Sequence, residues 1–256
     1  MPFKNGDFIL IDYTAKVKET GEVIETTLED VAKKEGIYRK EKKYEPLLVI
    51  IGEGRVVKGL EEALKEMNEG EEKTIEVPPE KAYGVRDPTK LRRMPLREFK
   101  KADIQPIPGK VVEINGVPAV IRDVSGGRVL VDFNHPLAGK TIVYYVKVVK
   151  HLKSDEEKIK MLLNRRLKPK DINEFTIILD KDKGVVEIIV PESEMLNPDI
   201  QLAKKALARE IFKYIDWARE VIYKEVLRTE KKVEKKSEAK ESGEEQGKAS
   251  KESEEQ

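Results

Sequence analysis

The 256 residues divide their charge almost evenly, with 50 Lys and Arg against 49 Asp and Glu for a net charge of +1, so no global surplus points to a nucleic-acid or membrane-surface partner. The absence of Cys excludes disulfides, thiolate metal sites and cysteine nucleophiles, and only two His leave little for imidazole clusters or Ser/His triads. The length favours more than one domain, and the apolar share of 39% supports real cores although the charged share is also 39%, above the roughly 25% of typical soluble chains.

Residues 1–7 lack a basic region leading into an apolar stretch, and no run approaches the roughly 18 apolar residues of a membrane span, which predicts a cytoplasmic protein. Residues 7–17 (DFILIDYTAKV) alternate as a strand, and Gly21-Glu22 turns the chain into a second strand at 23–27. Residues 28–45 are charged and aperiodic, which reads as a surface excursion with one short helix. The apolar run 47–51 (LLVII) is of strand length and closes on Gly52-Glu53-Gly54. Leu60, Ala63, Leu64 and Met67 then fall on one helix face, with Gly70 as its C-terminal stop. A strand at 73–77 ends at Pro78-Pro79.

From Arg86 the texture changes. Asp87-Pro88 breaks the pattern, and residues 90–101 are markedly basic (Lys90, Arg92, Arg93, Arg97, Lys100, Lys101) around Met94, Pro95, Leu96 and Phe99. Three short strands, 110–114, 117–124 and 128–133, follow as a meander, joined by the Asn115-Gly116 hairpin signal and by Ser125-Gly126-Gly127. The next strand occupies 142–149, and residues 134–139 (NHPLAG) carry a Pro and an apolar pair that a hairpin turn of roughly two to five residues does not need. His135 reads as a turn residue rather than a metal ligand.

Ser154 stands three residues before Glu157, a capping-box spacing that predicts a helix over 155–166 with Ile159, Leu162 and Leu163 inward. Residues 175–180 and 185–190 flank 181–184 as a hairpin. Asn197-Pro198 offers an N-cap and a first-turn Pro to a long helix running to about Leu227, striped with Ala203, Leu207, Ile211, Ile215, Ala218 and Ile222. Residues 228–256 hold 17 charged residues in 29 with Val233, Ala239 and Ala249 as the aliphatics, too little apolar surface to offset ordering, which predicts a disordered tail.

Residues 52–70 (GEGRVVKGLEEALKEMNEG) followed by 78–84 (PPEKAYG) resemble the FKBP family of peptidyl-prolyl isomerases. Residues 134–149 (NHPLAGKTIVYYVKVV) narrow the resemblance to the SlyD-like branch with its longer archaeal members, in which a second domain is inserted into a loop. The resemblance covers about 3–151 and implies an α+β fold: an antiparallel FKBP half-barrel sheet wrapped on one helix, an inserted small β-meander domain and a separate C-terminal α+β domain. The expected division is 1–85 with 134–152 for the isomerase domain, 86–133 for the insert, 153–227 for the C-terminal domain and 228–256 for the tail. No function is legible in the C-terminal domain.

By position, the resemblance implies a pocket. Tyr13 fits the first-strand aromatic, Glu25 the acidic residue after the next strand, Leu47 a wall, Val56 and Val57 the pair before the helix, and Leu60 the floor. Tyr83 is the AYG tyrosine, and Leu137 and Tyr144 line the returning side. The family often has Trp at the floor and Asp behind an aromatic, where this chain has Leu60 and Ile24-Glu25. Taken singly, Tyr13, Val56, Val57, Leu60 and Tyr144 read as core residues and Glu25 as a solvated strand-end carboxylate; their joint order carries the functional reading.

The implied reaction is rotation of an X-Pro amide across a barrier of roughly 18–20 kcal/mol. No bond is made or broken, so no nucleophile, metal or other cofactor is called for. An apolar site that binds the twisted amide better than the planar one suffices. Tyr83 would hold the client carbonyl by its hydroxyl or its backbone N–H, and Glu25 would orient Tyr13 or the loop around it, neither acting as general acid or base.

For the insert, the resemblance implies a chaperone surface for unfolded or nascent polypeptides with X-Pro bonds. Met94, Leu96 and Phe99, with Ile104 and Ile107, either face clients or close the meander's own core. The basic set is either a solvated face or an electrostatic guide to acidic chains or the ribosome; with no base-stacking aromatic beyond Phe99, no specific nucleic-acid partner is expected, and no membrane. Competing readings are a non-catalytic holdase and a ribosome-associated folding adaptor. The His-rich metal-binding tail of SlyD proteins has no counterpart here.

Overall fold

The computed structural model describes residues 2–227, so the expected tail at 228–256 lies outside the described residues. The chain divides into two compact units, Met1–Lys153 and Ser154–Gln256. The first contains β1 (Phe8–Val17), β2 (Val23–Thr26), α1 (Glu29–Lys34), β3 (Leu47–Ile50), α2 (Lys58–Glu66) and β4 (Glu72–Val77). After these come β5 (Leu91–Pro95), α3 (Leu96–Lys101), β6 (Val111–Ile114), β7 (Val117–Ser125), β8 (Arg128–Asp132) and β9 (Ile142–Leu152).

β1 is the hub of a five-stranded antiparallel sheet. Along one edge its first half pairs with β3 and its second half with β2; β9 runs along the other edge and β4 lies beyond it. The alternation of β1 directs Ile9, Ile11, Tyr13, Ala15 and Val17 to one face, where Leu60, Leu64 and Met67 of the α2 segment pack against them together with Ile75, Val77, Ile142, Tyr144 and Val146. Helix and sheet approach closely at Gly59, where a Cβ would lie 2.5 Å from Val77 Cγ1. α2 stops at Glu66, short of the expected Gly70: Met67 adopts an extended conformation with its side chain fully buried, and Gly70 turns three residues later, donating its N–H to Val148 O at 2.8 Å.

Strands β5-β8-β7-β6 form a second antiparallel sheet, one strand larger than the expected meander. The basic stretch hid that strand and a helix: Arg92 and Arg93 of β5 face solvent, Pro95 ends an edge strand, and α3 follows at once with Phe99 buried. Phe99, Val112, Ala119, Ile121, Val129 and Val131 make this sheet's own core. Asn115 (φ 52) and Gly116 (φ 77) form the two-residue turn with both dihedrals positive that hairpin twist favours.

Residues 134–139 lead from β8 back to β9 and are the return crossing between the two sheets. Both crossings meet at Asp132, whose side chain is fully buried. It accepts from Arg86 Nη2 at 2.6 Å, Arg122 Nε at 2.9 Å, Asn134 N at 3.0 Å and Asn134 Nδ2 at 2.8 Å. Asn134 also clasps the outgoing strand, accepting from Asp87 N and donating to Asp87 O, both at 2.9 Å.

The second unit contains α4 (Asp155–Leu167), β10 (Thr176–Asp180), β11 (Val185–Val190), α5 (Pro198–Tyr214) and β12 (Glu220–Glu225). Ser154 caps α4 by accepting from Glu157 N at 3.2 Å, and Asn197 caps α5. β10 and β11 are antiparallel, while β12 pairs parallel to β11. The expected helix to Leu227 is therefore wrong beyond Tyr214. Ile215, Ala218 and Ile222 keep a helical spacing, but Arg219 N and Glu220 N donate to Gly184 O, at 2.8 and 3.0 Å, and start the parallel ladder. Trp217 Nε1 donates to Asp155 Oδ2 at 2.8 Å, holding the turn that precedes it. Pairing with the β-branched β11 outweighs local periodicity.

Candidate active site

The helix-packed face of the first sheet brings three tyrosines into the core that contains Leu60. Tyr13 comes from β1, Tyr144 from the β9 strand beside it, and Tyr83 from the turn after β4. The Tyr13 and Tyr144 ring centroids are 6.1 Å apart with their planes at 49°. Leu60, at the start of α2, is 2% exposed and closes the floor; Val56, Val57, Ile24, Ala82 and Leu137 pack around it half-buried. Val57 is also the N-cap residue of α2, and its extended backbone (ψ 144) aims the helix start at the sheet.

The electrostatics keep the Tyr13 and Tyr144 phenols protonated. Burial pushes the Tyr13 hydroxyl well above the ordinary phenol value, and the Glu25 carboxylate, by its charge and a hydrogen bond, pushes it further. Burial does the same to Tyr144, reinforced by the neighbouring Tyr83. Glu25, half-exposed, is in turn paired with Lys42 Nζ at 3.3 Å, and that ammonium also donates to Thr26 O at 3.0 Å. The result is an apolar floor rimmed by neutral hydroxyl donors, with the carboxylate engaged at the side. Such a site can receive a carbonyl oxygen and exclude water from an amide; it offers no activated nucleophile.

The sequence-predicted residues Tyr13, Val56, Val57, Leu60, Tyr83, Leu137 and Tyr144 meet in this one cluster, with Glu25 beside Tyr13. Leu47 does not join it: 38% exposed at the start of β3, it pairs with Ile11 at the sheet's edge. On the second sheet, Met94 and Phe99 line a groove of about 160 Å³ with Glu98, Ala102, Ile104, Glu113, Ile114 and Asn115, and Phe99 is its buried floor. Leu96 packs against the core beneath rather than lining that groove. Sequence reasoning missed Ala82, the Lys42 partner of Glu25 and the stacking of His135 on Tyr83 at 4.6 Å. Lys42 sits in an aperiodic loop that carries no pattern, whereas His135 lay in a segment already singled out for its odd composition. Among the described residues, no group of His, Cys, Asp or Glu side chains is arranged to hold a metal ion.

Comparison with known families matches residues 2–108 to the model for FKBP-type peptidyl-prolyl cis-trans isomerase, residues 92–137 to that for the FKBP26 IF domain, and residues 155–228 to that for the FKBP26 C-terminal region. The chain is 43% identical over 145 residues to a short-type peptidyl-prolyl cis-trans isomerase of Methanocaldococcus jannaschii, covering 57% of this chain and 91% of that protein. It is 36% identical over 118 residues to the FKBP-type isomerase SlyD of Helicobacter pylori, covering 45% of this chain and 64% of the relative. A 16 kDa FKBP-type isomerase of Escherichia coli is 33% identical over 109 residues, 41% of this chain and 72% of its own length.

Proposed function

This chain belongs to the FKBP-type peptidyl-prolyl cis-trans isomerases, and from that premise we propose that its Tyr13–Tyr83–Tyr144 cluster is the seat of X-Pro rotation and that its second sheet holds unfolded clients. The cluster carries the catalytic reading: neutral hydroxyl donors over a buried apolar floor suit a reaction in which an amide loses resonance, and with it charge separation, at the twisted geometry. Leu60, Val56 and Val57 would seat the proline ring, and Leu137 and Tyr144 would close over it. Tyr83 would receive the carbonyl preceding the proline. Glu25, fixed by Lys42, would orient Tyr13. Desolvation by these walls favours the less polar twisted amide, and no proton need move.

We assign 1–85 with 134–152 to the isomerase domain, 86–133 to the chaperone insert and 153–227 to the C-terminal domain. The chaperone reading is supported by the groove beside Met94, by the exposed Val111 and Val117 on the same sheet and by the exposed Ile107 in the loop before β6, apolar surface that suits promiscuous contact with unfolded chains. Clients would be unfolded or nascent polypeptides containing X-Pro bonds, held on the insert while prolines reach the pocket across the Asn134–Gly139 crossing. Among the described residues no helix is long and apolar enough to cross a membrane.

Refolding of a client limited by cis-Pro formation tests the pair of roles. Wild type should accelerate it, Tyr83→Ala should lose most of that acceleration while still suppressing aggregation, and Ile107→Ser/Val111→Ser should do the reverse with a short peptide substrate left untouched. Equal refolding rates for wild type and Tyr83→Ala would favour the non-catalytic holdase.

A further inference from the structure

We propose that His135 is a positioning residue for the isomerase reaction, an imidazole brace that fixes the Tyr83 ring and the Leu137 backbone in one geometry; the proposal rests on the reading of Tyr83 and Leu137 as pocket walls. The His135 and Tyr83 rings lie 4.6 Å apart between centroids with planes only 2° from parallel. A contact at its hydroxyl would leave the plane of a tyrosine free to swing, whereas a parallel stack fixes the plane.

The same imidazole has a second contact. Leu137 N donates to His135 Nδ1 at 3.2 Å, so Nδ1 is the acceptor and the neutral ring carries its proton on Nε2. One side chain thus touches both the 82–84 turn and the 134–139 crossing, the two segments that bring Tyr83 and Leu137 to the pocket. Its own backbone is held on both sides. Asn134 is clasped by Asp132 and Asp87, Ala138 N donates to His135 O at 2.9 Å, and Gly139 N donates to Gly84 O at 2.8 Å.

His135 itself is exposed, so it adds little to the core; a heavily anchored backbone that presents an exposed ring flat against a pocket tyrosine favours positioning over packing. A donor held in place before the substrate arrives lowers the barrier, because its ordering is not deferred to the transition state. Losing the brace should therefore lower kcat more than it raises KM.

Three variants of the full chain separate the two contacts. His135→Phe keeps the stack without the acceptor, His135→Asn keeps an acceptor two residues before Leu137 N without the ring, and His135→Ala removes both. With a short X-Pro peptide followed by exchange spectroscopy, His135→Ala should lower kcat about tenfold, the scale of one aromatic pair plus one hydrogen bond, with KM changing less than about twofold. His135→Phe should recover kcat to within about threefold of wild type and His135→Asn should not. Melting midpoints should stay within about 3 °C, since the side chain is exposed. Wild-type kcat in His135→Ala, a change confined to KM, or a His135→Phe as impaired as His135→Ala would each overturn the brace. If Tyr83→Ala retains full activity, the pocket reading fails and the brace with it; if Tyr83→Ala is inactive while His135→Ala is normal, the brace alone fails.

Discussion

Replacing Asp132 by Asn should loosen the junction of the two sheets. The carboxylate is fully buried and receives four hydrogen bonds, from Arg86, Arg122 and twice from Asn134. Burial alone would raise its pKa, but these bonds outweigh burial and bring it down from 3.8 to about 2. At 1.36 kcal/mol per pKa unit that difference corresponds to about 2 kcal/mol of stability. An Asn there keeps one acceptor but turns an amide toward guanidinium donors. Because Arg86 and Arg122 are partly exposed and can return to water, the cost should stay near about 2–3 kcal/mol, below that of severing a fully buried pair. The unfolded chain binds the proton more readily than the folded one, so this stability is complete above about pH 4 and is lost as pH falls through about 2. The only Trp, Trp217, is in the second unit, so hydrogen exchange of β7 and β8 amides is the suitable probe. Faster exchange in Asp132→Asn at pH 7, with the gap to wild type closing toward pH 2, is the expected result. Equal protection at pH 7, or a gap independent of pH, refutes the reasoning.

Gly59→Ala places a methyl 2.5 Å from Val77 Cγ1 and should cost about 1–3 kcal/mol in denaturant unfolding by forcing α2 off β4, with reduced activity because Leu60 moves with it. Leu60→Ala should cost about 2–5 kcal/mol by leaving a cavity at the pocket floor, and should raise KM for short X-Pro peptides. Tyr13→Phe should lower kcat/KM by about two- to tenfold, as expected for one hydrogen bond, while moving the melting midpoint little. Tyr13, Tyr144 and Tyr223 all have raised phenol values, chiefly through burial. The unfolded chain releases those protons first, so stability should decline as pH rises above about 10, and tyrosinate absorbance at that pH should reach its full amplitude only on unfolding.

Much of the fold was legible along the chain because its signals are local. The β1 alternation, the Leu60–Leu64 helical spacing, the Asn115-Gly116 turn and the Ser154 and Asn197 caps each depend on residues a few positions apart, and all appear in the structure. That Tyr13, Tyr83 and Tyr144 share one core was legible only through the order of motifs, since long stretches separate them and no short-range pattern links them. The β5 strand and α3 were missed because a basic, proline-interrupted run has no clear periodicity until β8 offers it a partner.

By itself, then, the sequence determined the chemistry: no thiols, scarce imidazole, and an apolar pocket order that suits rotation about an amide rather than bond cleavage. Tertiary structure alone decided what depends on distant partners. Residues 220–225 carry a spacing that serves a helix as well as a strand, and the parallel ladder with β11 makes them a strand. Asp132 reads as an ordinary strand-end carboxylate until Arg86, 46 residues away, folds onto it. The overlong segment at 134–139 is long because it must return from one sheet to another, and only in the folded chain does His135 lie flat on Tyr83.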